Sequence, residues 1–202
     1  AGPWYYPPKP YAMEDLLPIV RAALDEVAER ELASQAVRNR RSVLELMEVA
    51  EFEFHTLGQA ADLALTLAGL CPEPSSAAIG LSELLVNAIE HGNLGIGYTE
   101  KTALRRQDTW DREIEARLAD PVLGARRARV RFRRDAGQLT FVISDQGEGF
   151  DWRAYLEFMP ERAFDPNGRG IAIARQASFA SLDYLDRGNV AVATIRRAAA
   201  AH

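Results

Sequence analysis

The sequence contains only one cysteine and no long run of apolar residues. A single thiol, Cys71, cannot form a disulfide within the chain, so we expect a reducing, cytoplasmic environment. No apolar run approaches the roughly 20 residues of a membrane-spanning helix, and the first residues show no basic segment leading into an apolar one. The phosphate-loop pattern G-x-x-x-x-G-K-S/T is also missing. We therefore predict no membrane segment, no secretion signal and no P-loop nucleotide site.

The composition is that of an ordinary globular chain. Of the 202 residues, 48% are hydrophobic and 26% are charged, which provides enough apolar material for a sizeable core. The 24 Lys and Arg residues against 29 Asp and Glu leave a formal net charge of −5. This acidic balance argues against non-specific binding to nucleic acid. The chain begins with Ala1 rather than methionine, consistent with a piece of a longer protein, and residues 198–202 are predicted to be a tail.

A long helix is predicted near the start, after a proline-rich segment at residues 1–11. Within residues 29–50, six positions follow a 4-3-4-3-4 spacing that is typical of a short coiled-coil seam: Leu32, Ala36, Asn39, Val43, Leu46 and Ala50. Two interpretations stay open. The helix either packs on its own domain or forms a parallel homodimer through residues 29–50.

The rest of the chain predicts helices first and strands afterwards. The helices are expected at residues 57–70, from Ser75 or Ser76 onward, around 110–118 and at 171–179; the strands at 51–55, 128–133, 139–144, 181–185 and 189–196. Two hairpin turns, at 135–137 and 186–188, join strands of alternating polarity. This pattern predicts an α+β fold, a two-layer sandwich of helices on a mostly antiparallel mixed sheet.

The first segment with chemical potential is S-E-L-L-V-N-A-I-E-H-G-N, from Ser82 to Asn93. On a helix, Glu83, Asn87 and either Glu90 or His91 lie on one stripe, beside an apolar stripe that would face the core. An acid and an amide could then face a cleft. The alternative is a solvated helix face that carries the pair by chance.

A second segment follows an apolar strand: Asp145, Gln146, Gly147, Glu148 and Gly149. Glycines at alternate positions let the backbone turn sharply and approach a ligand closely. An aspartate at a strand end can accept a hydrogen bond from an exocyclic amine. A plain hairpin turn with glycine is the alternative.

A third segment, Gly168-Arg169-Gly170, runs directly into an apolar helix that begins at Ile171. Free amide groups at a helix N-terminus suit a phosphate, and Arg169 adds a positive charge that can make two parallel contacts. A simple helix start is the alternative here.

In this order, the three segments resemble the ATP-binding fold shared by gyrase, heat-shock chaperones, histidine kinases and mismatch-repair ATPases, the GHKL or Bergerat fold. The pattern E-L-L-x-N-A-x-E-H-G-N resembles the anti-sigma-factor serine kinases most. The resemblance covers roughly residues 51–197 and implies ATP and Mg²⁺ as cofactors.

The resemblance also implies a role for each matching residue. It makes Glu83 the general base, Asn87 a Mg²⁺ ligand that bridges the phosphates, and Asp145 the acceptor of the adenine amino group. Gly147 and Gly149 would lie beneath the base. Residues 150–167 would form a lid, and the phosphates would be closed in by the helix start: Gly168, Arg169, Gly170 and Ile171.

Three features stand apart from this pattern. His91 is interpreted as a supporting or structural residue. Gly188-Asn189 stands where family members often have Gly-Thr before the last strand, although Asn189 can still form hydrogen bonds. The charged insert at residues 99–126 is longer than usual, and we interpret it as a partner-docking element or a lid against a second domain.

The first 28 residues carry a second resemblance. Tyr5-Tyr6-Pro7-Pro8-Lys9-Pro10-Tyr11 and the helix after it resemble the C-terminal end of a response-regulator receiver domain. The alternative is a proline-rich arm before a helix. With a receiver, residues 29–50 would connect a sensor to an ATPase.

Together, the resemblances imply a cytoplasmic ATP-dependent kinase that phosphorylates Ser or Thr of a partner, an anti-anti-sigma-like or sigma-like regulator. One alternative is a non-catalytic switch that sequesters a regulator when ATP is bound. A histidine-kinase catalytic module is disfavoured because no phosphoacceptor helix is recognisable, and His55 lies in a predicted strand.

Overall fold

The computed structural model describes residues 13–150, 152 and 178–197. The chain divides into two compact units on either side of the Leu46–Met47 bond. The first unit contains α1 (Met13–Glu45), which includes Pro18. The predicted long helix is therefore present. The predicted seam extends too far, because α1 ends at Glu45 and Ala50 lies in a strand, where polarity alternates with a period of two.

The second unit is α+β, as predicted. Its elements, in chain order, are β1 (Val49–Phe54), α2 (Leu57–Ala68), α3 (Pro74–Asn87), a π-helical turn (Ala88–Asn93), α4 (Tyr98–Arg106), α5 (Trp110–Ala119), β2 (Ala128–Arg134), β3 (Gln138–Ser144), β4 (Ser181–Leu185) and β5 (Val190–Arg196).

The five described strands form one sheet in the order β1-β2-β3-β5-β4, and each neighbouring pair is antiparallel. In register, Phe132 of β2 lies opposite Phe141 of β3, and Phe141 lies opposite Ala193 of β5. The prediction of a mostly antiparallel sheet is confirmed. The predicted sheet was also mixed, but no parallel pair is found among the described strands.

Strand polarity explains which face of the sheet is covered. On β2, Val130 and Phe132 are buried, while the alternating Arg129, Arg131 and Arg133 are exposed. On the exposed face, Arg131 pairs with Glu51 at 2.8 Å and Arg129 pairs with Glu53 at 3.1 Å. The alternation therefore sets the covered and the solvated face of the sheet.

One hydrophobic core joins the inner face of the sheet to α2 and α3. It includes Phe54, Phe132 and Phe141 from the strands and Leu81 and Leu85 from α3, all almost fully buried. The core positions the end of α3 against the end of β3, where the polar segments of the sequence meet.

Several element boundaries differ from the prediction. Neither Ser75 nor Ser76 caps α3, because Pro74 begins the helix, where its missing N–H costs no hydrogen bond. The charged insert contains α4 as well as the predicted helix that begins at Trp110. The helix predicted at 171–179 does not reach Phe179, which is irregular; its residues 171–177 lie outside the described part.

Candidate functional site

A cavity of about 210 Å³ lies between the end of α3, the end of β3 and the β4–β5 turn. Its walls combine apolar side chains with a few polar groups, and among the lining residues are Leu84, Asn87, Ala88, His91, Tyr98, Ile143, Asp145, Gly149, Tyr184 and Asn189. Complete ligand pockets measure roughly 300–1,000 Å³. This cavity therefore suits a planar ring system rather than a whole nucleotide.

Asp145 is the acidic group of the cavity. Its carboxylate accepts a 2.8 Å hydrogen bond from the Gly147 N–H, and its own N–H donates to the Asn189 carbonyl at 3.1 Å. Burial raises the pKa of Asp145 to about 6, although the Gly147 hydrogen bond and Arg187 act in the opposite direction. At neutral pH the group is mainly ionised, so it is an acceptor that suits an exocyclic amine.

Two glycines bring Asp145 against the π-helical turn. A Cβ at Gly92 would lie 2.3 Å from Asp145 Cγ, and a Cβ at Gly147 would lie 2.2 Å from the Gly92 carbonyl oxygen. Neither distance is compatible with a side chain. Gly147 thus packs against the turn and is not among the lining residues of the cavity.

Gly149, by contrast, lines the cavity. Its φ of +81° is one that L side chains rarely adopt, and a Cβ there would lie 2.1 Å from the Arg187 carbonyl oxygen. The same carbonyl accepts a 3.0 Å hydrogen bond from the Phe150 N–H. Of the two glycines predicted to lie beneath a base, the structure places only Gly149 at the cavity.

Asn87 and Glu83 lie one turn apart on α3, and they face two different spaces. Asn87 lines the cavity, whereas Glu83, beside it on the same helix face, lines a neighbouring groove. The Asn87 side-chain Nδ2 donates a 2.9 Å hydrogen bond to Glu83 Oε1. Because Nδ2 is used in this way, Asn87 keeps its Oδ1 as a hard oxygen ligand that fits Mg²⁺.

The π-helical turn after Asn87 supplies another wall. The Leu94 N–H donates to the Ile89 carbonyl five residues earlier, at 2.8 Å; such turns are frequent at functional sites. His91 Nδ1 is hydrogen-bonded to the Ile96 carbonyl, and its ring contacts Tyr98 at a centroid distance of 4.2 Å. Burial lowers the pKa of His91, so the ring is neutral at physiological pH.

Asn189 supports Asp145 from the opposite side. Its Nδ2 donates to the Asp145 carbonyl at 3.3 Å. Its buried Oδ1, like the buried His91 Nε2, has no hydrogen-bond partner within the described residues. Unpartnered buried polar atoms beside apolar walls are features that a heterocyclic base would satisfy. The residues present therefore fit an adenine ring.

Some residues around the site were missed by sequence reasoning. Glu90 is almost fully buried and forms an ion pair with Lys101 of α4. Asn93 is also buried, and its Oδ1 accepts a 2.9 Å hydrogen bond from the Gln146 N–H. The predicted helical stripe did include Glu90 as an option, but its partner lies across the fold, where no local pattern points.

The phosphate-binding prediction falls on residues that the structure does not describe. Gly168, Arg169, Gly170 and Ile171 lie outside the described residues, as does most of the predicted lid at 150–167. Among the described residues, no three His, Cys, Asp or Glu side chains are arranged to hold a metal ion. In that same part of the chain, no helix is long and apolar enough to cross a membrane.

Comparison with known proteins identifies a family for most of the chain. The family model described as the histidine kinase-like ATPase domain matches residues 12–195, which include α1 as well as the cavity. A search of curated proteins found no match.

Proposed function

Because the chain belongs to the family of histidine kinase-like ATPase domains, we propose that it is an ATP-dependent protein kinase of the anti-sigma type. The family membership supports ATP binding and a regulatory role. The finer part of the proposal is that ATP·Mg²⁺ phosphorylates a Ser or Thr of a partner regulator.

One observation carries this proposal: a hydrogen bond links Asn87, which lines the cavity, to Glu83, which lines the groove. Asn87 faces the cavity that fits a base, and Glu83 faces an open groove. A carboxylate that lies beside a nucleotide-binding residue and also lines an open groove can meet a hydroxyl that enters through the groove. A kinase needs that arrangement, because its base must reach the nucleophile and not the adenine.

Each residue then has a defined task. Asp145 accepts a hydrogen bond from the adenine amino group, while Leu84 and Ile143 contact the faces of the ring. Asn87 Oδ1 holds the cation, and Glu83 keeps the Asn87 amide in that orientation. When bound, Mg²⁺ neutralises charge on the phosphates.

Glu83 also acts on the nucleophile. The Ser or Thr hydroxyl oxygen forms a bond to the γ-phosphorus while the bond to the β,γ-bridging oxygen breaks. ADP leaves with that electron pair, and Glu83 accepts the hydroxyl proton.

The proposal extends to the first unit. Residues 1–28 are proposed to end a receiver domain whose phosphorylation controls the ATPase, with residues 29–50 as the connector. Along α1, Leu17, Leu24 and Leu32 are more than half exposed. Exposed apolar side chains at this density support a homodimer through the helix.

The test is a transfer assay with the full chain, radiolabelled ATP, Mg²⁺ and a panel of purified anti-anti-sigma-like and sigma-like domains. We expect label on a Ser or Thr of one acceptor, and no label with Glu83→Gln. Titration with ATP, with and without Mg²⁺, runs in parallel. Absence of ATP binding would overturn the whole proposal.

A second candidate is the non-catalytic switch, because Glu83 in the groove could contact a regulator without accepting a proton. That candidate predicts ATP-dependent retention of an acceptor domain with no transfer of label. Acid-labile label on a histidine of this chain would instead indicate a histidine-kinase-like module.

A further inference from the structure

The groove that Glu83 lines is an open channel between α2, α3 and the α4–α5 segment, with a volume of about 670 Å³. Its walls differ in character. Leu65, Ile79 and Val86 form an apolar wall, and Lys101, Arg105 and Trp110 form a polar one opposite.

The apolar wall is open to solvent. Leu65 on α2 is 66% exposed and Ile79 on α3 is 62% exposed. Large apolar side chains this exposed on two neighbouring helices, at the rim of one groove, mark an interaction site rather than part of a core.

The polar wall offers one cation to a partner. Arg105 lies over the Trp110 ring, 5.2 Å from its centroid, and forms no ion pair with a described residue. Lys101, in contrast, is neutralised by Glu90. A partner that brings a carboxylate would therefore complement the charge of this wall.

We propose that this groove docks the phosphoacceptor segment of the partner protein. The segment carries a Ser or Thr next to a large apolar side chain and an acidic side chain. The apolar residue packs between Leu65 and Ile79, the acid pairs with Arg105, and the hydroxyl lies at Glu83. The inference rests on the proposed function and names the sequence class of its substrate.

A peptide array tests the proposal. Each peptide has a central Ser, and the flanking positions are varied systematically among apolar, acidic and basic residues. The array is used twice with the full chain, once for transfer of label from radiolabelled ATP·Mg²⁺ and once for ATP-dependent retention of the protein. Variants Ile79→Glu and Arg105→Glu are compared with Val122→Glu, a control at an exposed apolar residue that does not line the groove.

We expect the wild type to select peptides with one apolar and one acidic flanking residue. Ile79→Glu should reduce both readouts at least tenfold while ATP affinity is unchanged. Arg105→Glu should change the preferred charge from acidic to basic, and Val122→Glu should behave as the wild type.

The outcomes separate the two proposals. Retention that depends on Ile79 without transfer of label keeps the docking site and overturns the kinase. Transfer that is indifferent to Ile79→Glu and Arg105→Glu keeps the kinase and overturns the docking site. Absence of selective retention also overturns the docking site. A concentration-dependent dimer that Ile79→Glu abolishes would also overturn the docking site, because a second copy of the chain would then cover the groove.

Discussion

The side-chain amide of Asn87 donates a 2.9 Å hydrogen bond to the carboxylate of Glu83, one turn earlier on α3. This bond orients both residues at once. It directs the Asn87 oxygen away from Glu83 and holds Glu83 at the edge of the groove. Removing the charge of Glu83 should therefore separate chemistry from nucleotide binding.

Glu83→Gln should lower the phosphotransfer rate by roughly 10²–10⁴-fold, because the amide cannot accept the hydroxyl proton. The oxygen of the substituted amide would still accept a hydrogen bond from Asn87, so ATP affinity should change by less than about threefold. Rates are measured with radiolabelled ATP and affinity by calorimetry. Glu115→Gln, at an exposed position of α5, is the control. A rate equal to that of the wild type would refute the base assignment.

Gly92→Ala tests the contact between the π-helical turn and Asp145. The new Cβ would lie 2.3 Å from Asp145 Cγ, so Asp145 must move. We expect a loss of about 1–3 kcal/mol in the free energy of unfolding, the usual range for overpacking. ATP affinity should fall as well. Urea denaturation and calorimetry measure the two effects. Gly137→Ala, where a Cβ meets nothing within 4 Å, should leave both unchanged.

Much of the fold follows from local patterns. The alternation in β2 and β3 predicted both strands and the hairpin between them, because a half-buried strand imposes a period of two on polarity. Asp145 and Gly149 were predicted in the same way, since a strand end followed by alternate glycines is a local signal. The structure places Asp145 and Gly149 together in the lining of the cavity, and their roles toward a nucleotide stay predictions.

Other features depend on distant parts of the chain. Glu83 and Asn87 were predicted to face one cleft, because both lie on one helical stripe. The structure joins them by a hydrogen bond but places Asn87 in the lining of the cavity and Glu83 in that of the groove. Helix α4 was missed because it is short and strongly polar, and none of its side chains is buried in the core. Its position depends instead on the buried pair between Glu90 and Lys101.

Lys101→Ala tests how much the ion pair between Glu90 and Lys101 contributes to the free energy of unfolding. Glu90 is almost fully buried, so removing its cation leaves an uncompensated charge, which costs about 3 kcal/mol. Urea denaturation at pH 7 measures the loss. The double variant Glu90→Leu with Lys101→Met should recover most of it, because no charge is then left unpaired. A single variant as stable as the wild type would show that solvent reaches Glu90.

Leu32→Glu tests the proposed homodimer. Leu32 is highly exposed on α1, and a charge at an interface position of a coiled coil opposes pairing. We expect the wild-type chain to sediment as a dimer at micromolar concentration. The variant should need a concentration at least about tenfold higher to pair. Val122→Glu serves as the control. A wild-type monomer over the whole range would exclude pairing through α1.

Asp145 should couple both stability and ligand binding to pH. Its pKa is raised to about 6 from the ordinary value of 3.8, so between these two pH values the folded state holds a proton that the unfolded state has released. The contribution of Asp145 to stability is therefore greatest below the ordinary value and is lost as pH rises through about 6. Asp145→Asn should unfold at a higher temperature than the wild type at pH 7, and the difference should vanish near pH 4.

The affinity for ADP should depend on pH in the opposite sense to stability. The ionised carboxylate is a stronger acceptor for the adenine amino group than the protonated carboxyl, so ADP affinity should weaken as pH falls through about 6. Because the phosphates titrate in the same range, the informative quantity is the ratio of wild-type to Asp145→Asn affinity, which should decline as the solution is acidified. Asp183→Asn, at an exposed position of β4, is the control and should follow the wild type. A constant ratio between pH 5 and 8 would show that Asp145 does not contact the base.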